Sequence, residues 1–274
     1  MMTKSINISN CEISNSNQLT VIAGLNILES EEQTLEVAAK LKKIVSQTNN
    51  PFIFKASFDK ANRSSVDSYR GMGIDKGIAI FKALKSEGYN LITDIHEINQ
   101  VDKIAEVVDV IQIPAFLCRQ TDLIKAACET SKPLNIKKGQ FLSPEQMENI
   151  INKCTHFGNE QIMLCERGTS FGYNNLVVDM LGMSKLKEFG NPVIFDVTHS
   201  LQLPGGAGIS ADGRSGQALD LALSGVAIGL AGIFIEVHPE PSQAKCDGPS
   251  ATKLDELGAF LSKINAVDDL VKSF

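Results

Sequence analysis

Lys55, Ser57, Lys60, Asn62, Arg63 and Ser64 crowd the stretch PFIFKASFDKANRSS (51–65) of a chain whose net charge is -6. Guanidinium and ammonium groups beside short hydroxyl and amide side chains bind phosphate or carboxylate through charge-assisted hydrogen bonds. Arg119, Lys137 and Arg167 add further cations near the ends of later apolar runs, and Asn26, Asp94 and Gln112 add polar groups in equivalent places. Such a concentration of positive charge calls for more than one anionic group to neutralise it. A second constellation is one imidazole and two carboxylates, His199, Glu236 and Asp247. These three can ligate a divalent metal, or orient a water and shuttle protons. No HxxxH or similar local motif chooses between the two.

Bulk properties narrow the partners. With 32 acidic against 26 basic residues, the surface is unsuited to nucleic acid or anionic membranes. The N-terminus, MMTKSINISNCEISN, lacks the apolar core of a signal peptide. The longest uncharged stretch, Leu221 to Ile235, is broken by glycines and falls short of the ~20 residues of a membrane span. Cysteines at 11, 118, 128, 154, 165 and 246 form no CxxC pair, which argues against a zinc knuckle and for inert thiols in a reducing cytosol. A soluble, cytoplasmic protein is expected.

The elements that must carry these groups show as apolar runs: 20–27, 51–57, 90–95, 110–115, 133–138, 161–168, 192–199 and 232–239. Helical patterns lie between them. Ser30–Gln33 reads as a capping box ahead of Val37, Leu41, Ile44 and Val45, and Ser143–Gln146 reads as another. Alternating strands and helices imply a parallel sheet, and eight units are the count of a (β/α)8 TIM barrel. No G-x-G-x-x-G follows the first run, against a dinucleotide-binding open sheet. The expectation is one domain over 1–274, with residues 1–19 an appended hairpin and 253–274 helical.

C-terminal strand ends share one mouth in such a barrel, so the polar run-ends converge there. Strand alternation favours Lys137 as the inward cation and leaves Lys138 solvated. The glycine-rich segment 203–217 lacks the Walker pattern and reads as a mobile loop able to close over a ligand.

The blocks AGLNILES, FKASFDKANRSS, TDIHE, IQIPAFLCRQTDL, NIKKGQF, CERGTSFGYNNLVVDM, FDVTHSLQ and EVHPEPSQAKCDGPS, in this order, closely resemble the 3-deoxy-D-manno-octulosonate 8-phosphate (KDO 8-phosphate) synthase family nearly end to end. The resemblance implies a homotetrameric barrel of lipopolysaccharide biosynthesis that condenses phosphoenolpyruvate with arabinose 5-phosphate and water. Carried over by motif, Lys60, Lys137 and Arg167 with Gln112 and Ser57 hold phosphoenolpyruvate, with Lys55 on the same side. Asn62, Arg63 and Ser64 bind the pentose phosphate, with Arg119 and Phe116 reaching in from a neighbouring subunit. Asp94 joins the substrate-binding set. Asn26, His199, Glu236 and Asp247 surround the reacting carbons, with Lys60 counted among the catalytic groups. The family has a metal-dependent branch that carries cysteine at the Asn26 position. A neutral amide is a poor metal ligand, so neither metal nor other cofactor is expected. The QLPGGAG segment departs from this, being more similar to the metal-dependent branch. Three alternatives remain: the related 3-deoxy-D-arabino-heptulosonate 7-phosphate synthases, a non-catalytic phosphosugar-binding barrel, and an aldolase with Lys55 as Schiff-base lysine.

Overall fold

Residues with alternating direction and β-branched side chains build a closed barrel. The computed structural model describes residues 3–9, 11–205 and 212–274. A hairpin of β1 (Ile6–Ile8) and β2 (Cys11–Ile13) precedes the barrel strands β3 (Thr20–Gly24), β4 (Phe52–Lys55), β5 (Leu91–Asp94), β6 (Val110–Ile113), β7 (Leu134–Lys137), β8 (Ile162–Glu166), β9 (Val193–Asp196) and β10 (Gly232–His238). Each barrel strand pairs in parallel with the next. β10 closes the ring on β3, from Gly232 opposite Thr20 to Glu236 opposite Gly24. All eight expected runs are these strands.

Helices α1 (Glu31–Ser46), α2 (Ile74–Ser86), α3 (Val101–Ala105), α4 (Thr121–Glu129), α5 (Met147–His156), α6 (Met180–Glu188), α7 (Ala218–Val226) and α8 (Leu257–Lys272) cover the outside. Outward strand residues such as Val21, Phe54, Ile111, Leu164 and Phe195 share one core with Val37, Phe81 and Ile124 of the helices. Inward residues Ile22, Ile53, Ile92, Val110, Ile194 and Phe234 form a second apolar cluster, which includes Ile6, Ile8 and Ile13 of the hairpin. The hairpin therefore seals the N-terminal end of the barrel. Its edge is tied down by Lys4 N–H on Gly190 O (2.8 Å) and by Asn15, which bonds Asn191 O and Val193 N (both 2.9 Å).

Two residues further along the same inward faces stand Lys55, Asp94, Gln112, Asp196 and Glu236. A period of two thus turns an apolar floor into a polar mouth. Gly24 makes room for this layer, since a Cβ there would stand 1.8 Å from Lys55 O.

Local signals differ from expectation in three places. Ser30 caps α1 through Gln33 N (3.1 Å), but the Gln33 side chain bonds His238 Nε2 (3.0 Å) instead of completing a box. Gln146 Oε1 accepts from Ser143 N–H (3.0 Å), and the turn they close precedes α5 instead of opening it. The final helix starts at Leu257, after a short strand (Thr252–Lys253) and a single 3-10 turn. Of the glycine-rich segment, residues 206–211 lie outside those described; its flanks Gln202–Leu203 and Asp212–Gly213 pair as an antiparallel ribbon. Among the described residues, no helix is long and apolar enough to cross a membrane.

Candidate active site

A cavity of about 390 Å³ opens at the C-terminal mouth, lined among others by Lys60, Arg63, Asp94, Lys137, Arg167 and His199. Asn62, Ser64, Gln112, Phe116 and Asp247 also line it, so the structure gathers most of the residues chosen from the sequence. The loop after β4 supplies Lys60 to Ser64, while Lys137 and Arg167 stand at the ends of β7 and β8. Strand order sets those two groups of cations across the mouth from one another.

Asn26, Lys55, Ser57 and Glu236 are buried just below this lining. Lys55 donates to Glu236 Oε1, to Asn26 O (3.1 Å) and to Leu25 O (3.4 Å). All three N–H groups are thereby taken, and no amine faces the cavity from this position. Burial pulls the Lys55 ammonium down to about 8, against the pull of Glu236. Lys60 is also desolvated, but Glu236 at 3.9 Å and Asp94 outweigh burial and raise it. Glu236 would be pushed up by burial; His199, Lys55 and Lys60 instead hold it well below the usual carboxylate range.

Asp196, one residue before a helical turn (Val197–Ser200), organises the far side. It caps that turn through His199 N–H (2.9 Å), takes His199 Nδ1 at 2.8 Å and accepts from Lys137 Nζ at 2.6 Å. Lys137 Nζ also lies 4.0 Å above the Phe234 ring. Burial lowers the His199 imidazole, against the pull of Asp196 and Glu236. With Nδ1 held by Asp196, Nε2 is the atom left for chemistry, 3.6 Å from Glu236 Oε2. One ligand atom from each of His199, Glu236 and Asp247 lies within 4.8 Å of the others. Asp247 adopts a left-handed conformation (φ 50°), a sparsely populated one for a non-glycine residue.

A metal requires lone pairs at this cluster, and the neighbouring Asn26 offers the opposite. Its Nδ2 donates to Glu236 Oε2 and to Asp247 Oδ2 (3.1 Å), supplying the positive end of a dipole where a cation would sit. The set fits a proton-transfer centre better than a metal centre. Cys246 beside Asp247 is pushed up to about 12 by burial and by that carboxylate, so it stays a thiol; it accepts from Arg63 Nη1.

Other placements qualify the sequence reading. Arg119 is exposed and outside the lining, and Phe116 is 55% exposed at its rim. Lys138, expected in solvent, is 1% exposed and pairs with Glu166 at 3.4 Å, because the outward face of a parallel strand meets helices and not water. His96, Gln140 and Gln202 line the cavity as well, though none was selected. Asp196, inside the run 192–199, is a further residue not selected; its three-residue spacing to His199 was the available signal.

Residues 4–273 match the DAHP synthetase I family. The chain is 53% identical over 275 residues to a 2-dehydro-3-deoxyphosphooctonate aldolase of Hahella chejuensis, covering 100% of this chain and 98% of that one. Proteins of the same name from Marinobacter nauticus and Shewanella pealeana are each 54% identical over the same shares. Likeness of this extent, over the whole barrel, means that the chain belongs to the DAHP synthetase I family and, within it, to the 2-dehydro-3-deoxyphosphooctonate aldolases.

Proposed function

We propose that the protein condenses phosphoenolpyruvate with D-arabinose 5-phosphate and water, yielding 3-deoxy-D-manno-octulosonate 8-phosphate and inorganic phosphate for lipopolysaccharide synthesis. The observation that carries this reading is one cavity with two sets of cationic donors across its mouth, and an imidazole and carboxylates at the same mouth. Lys60, Lys137 and Arg167, with Gln112 and with Ser57 below them, take phosphoenolpyruvate. Asn62, Arg63 and Ser64 take the phosphate end of the pentose, and Asp94 faces its hydroxyls. The chain acts as one domain in a cytoplasmic homotetramer, where Phe116 and Arg119 of each copy reach toward a neighbour's site.

C3 of phosphoenolpyruvate attacks the aldehyde carbon while C2 becomes electron-poor and accepts water. The tetrahedral C2 then expels phosphate by breaking its C–O bond and becomes a ketone. Holding both anions in reacting geometry is the larger part of the task, because it removes the entropy of a bimolecular encounter. Lys60 stabilises the charge that develops on the aldehyde oxygen. His199 Nε2 and the Asp247 carboxylate face the cavity as proton acceptors for the attacking water, with Asn26 orienting both carboxylates. No step is routed through a metal, in keeping with the amide at position 26.

Phosphate release from phosphoenolpyruvate, measured with several aldose phosphates and with or without EDTA, tests the reading. Release with arabinose 5-phosphate that survives EDTA is the expected result. Release only with erythrose 4-phosphate points to heptulosonate synthesis, and activity restored by a divalent metal after EDTA overturns the metal-free mechanism.

A further inference from the structure

Arg167 differs from the two lysines at the mouth. Lys137 has Asp196 at 2.6 Å and Lys60 has Glu236 at 3.9 Å, whereas among the described residues the side-chain partner of Arg167 is a neutral amide, Gln202 Oε1, at 2.8 Å. Its Nη1 is buried and has no partner among the described residues. A buried cation with an unused donor is costly until an anion arrives. Yet the residue immediately before it, Glu166, carries a carboxylate and is itself 1% exposed.

Glu166 is kept from Arg167 by its own partners. Strand alternation turns it to the outer face, where Lys138 Nζ lies 3.4 Å from Oε2. Lys138 is fixed in turn by Leu142 O (3.2 Å) and Thr169 Oγ1 (3.0 Å). Oε1 accepts from Gly168 N–H at 2.6 Å, at a turn where φ is +91° and an added Cβ would stand 3.3 Å from Leu176 Cβ. Burial raises the Glu166 carboxyl even so, and Lys138 is the strongest influence opposing that rise. Besides Lys138, the other cation acting on Glu166 is Arg167.

We propose that Lys138 and Glu166 are positioning residues: their buried pair holds the Glu166 carboxylate away from Arg167 and so keeps the guanidinium available to the phosphoenolpyruvate anion. This rests on the reading of the cavity as a phosphoenolpyruvate site. The pair itself touches no substrate and acts only through Arg167.

Calorimetric titration of phosphoenolpyruvate into wild-type protein, Lys138→Met and Lys138→Met/Glu166→Gln tests it, with thermal unfolding followed in parallel. Lys138→Met is expected to weaken binding by about tenfold or more, the scale of one lost charge-assisted contact. The double variant, with no carboxylate to redirect, is expected to return to within about threefold of wild type even if it unfolds at the same temperature as the single variant. Unchanged affinity in Lys138→Met, or a double variant as weak as the single, overturns the proposal. If Lys138→Met does not fold, Thr169→Val removes one anchor of Lys138 without a charge change and is expected to weaken binding about threefold; no change there overturns it instead. Inorganic phosphate titrated alongside separates the two readings. Protein that binds phosphate but not phosphoenolpyruvate sinks the functional reading, while the ranking of the variants with phosphate still decides the role of the pair. Binding of neither anion overturns both.

Discussion

Asp196 serves three groups at once, capping a turn, fixing the His199 tautomer and neutralising Lys137. Burial would raise its pKa, but His199 and Lys137 hold it far below the usual range, so it is charged at every working pH. Burial already lowers His199, and Asp196 is the strongest influence opposing that fall. Asp196→Asn therefore drives the imidazole lower still. The acid limb of kcat/KM that protonation of His199 sets moves to lower pH in the variant. The rate on the plateau falls by about a hundredfold as the ring loses its fixed orientation. A pH–rate profile checks both, and an acid limb that moves upward contradicts the assignment. Arg63→Ala addresses the other side of the mouth: it is expected to raise KM for the pentose phosphate by about tenfold, and KM for phosphoenolpyruvate much less. The reverse ordering in steady-state kinetics would exchange the two anion sites. Lys137 was legible as inward because alternation along a strand is a local rule. Lys138 was misread because a charged residue on the other face looks solvated until the covering helices are placed.

The barrel itself was legible for a similar reason, since every strand announced itself as a short apolar run, most of them rich in Val and Ile. Ends of runs were less clear. The run 192–199 continues past β9 into the turn Val197–Ser200, because Val and Thr suit both conformations. Ser143–Gln146 carried a helix-start pattern, and its side-chain bond closes a turn that leads directly into α5 at Met147. The N-terminal hairpin could be read as a hairpin, whereas its role as a seal depends on which end of the barrel it meets. Its alternation places Ile6, Ile8 and Ile13 inward, and Ile13 is fully buried against the floor. Ile13→Ala is expected to destabilise the protein by about 2–5 kcal/mol, as a cavity in a packed core does. Because the floor lies at the opposite end from the mouth, both KM values should stay unchanged. Denaturant unfolding and steady-state kinetics on one preparation test this, and a raised KM would show that floor and mouth are mechanically linked.

Taken as a whole, the molecule has a net charge of -6 while its cavity gathers Lys60, Arg63, Lys137 and Arg167. A cationic mouth set in an acidic surface draws anions inward and disfavours their binding elsewhere. The attraction is screened by salt, so raising ionic strength from low salt to about 0.5 M should increase both KM values, while kcat changes little. KM values flat across that range would mean that contact geometry alone, without steering, captures the substrates. The sealed floor has a further consequence for traffic. A barrel stoppered at one end by Ile6, Ile8 and Ile13 is a blind vessel with a single doorway. Whatever the strand-borne Lys137 and Arg167 hold and whatever the Asn62–Ser64 loop receives must therefore enter and leave by the same mouth. A hairpin that never meets either molecule thus confines the traffic of both to one end of the barrel.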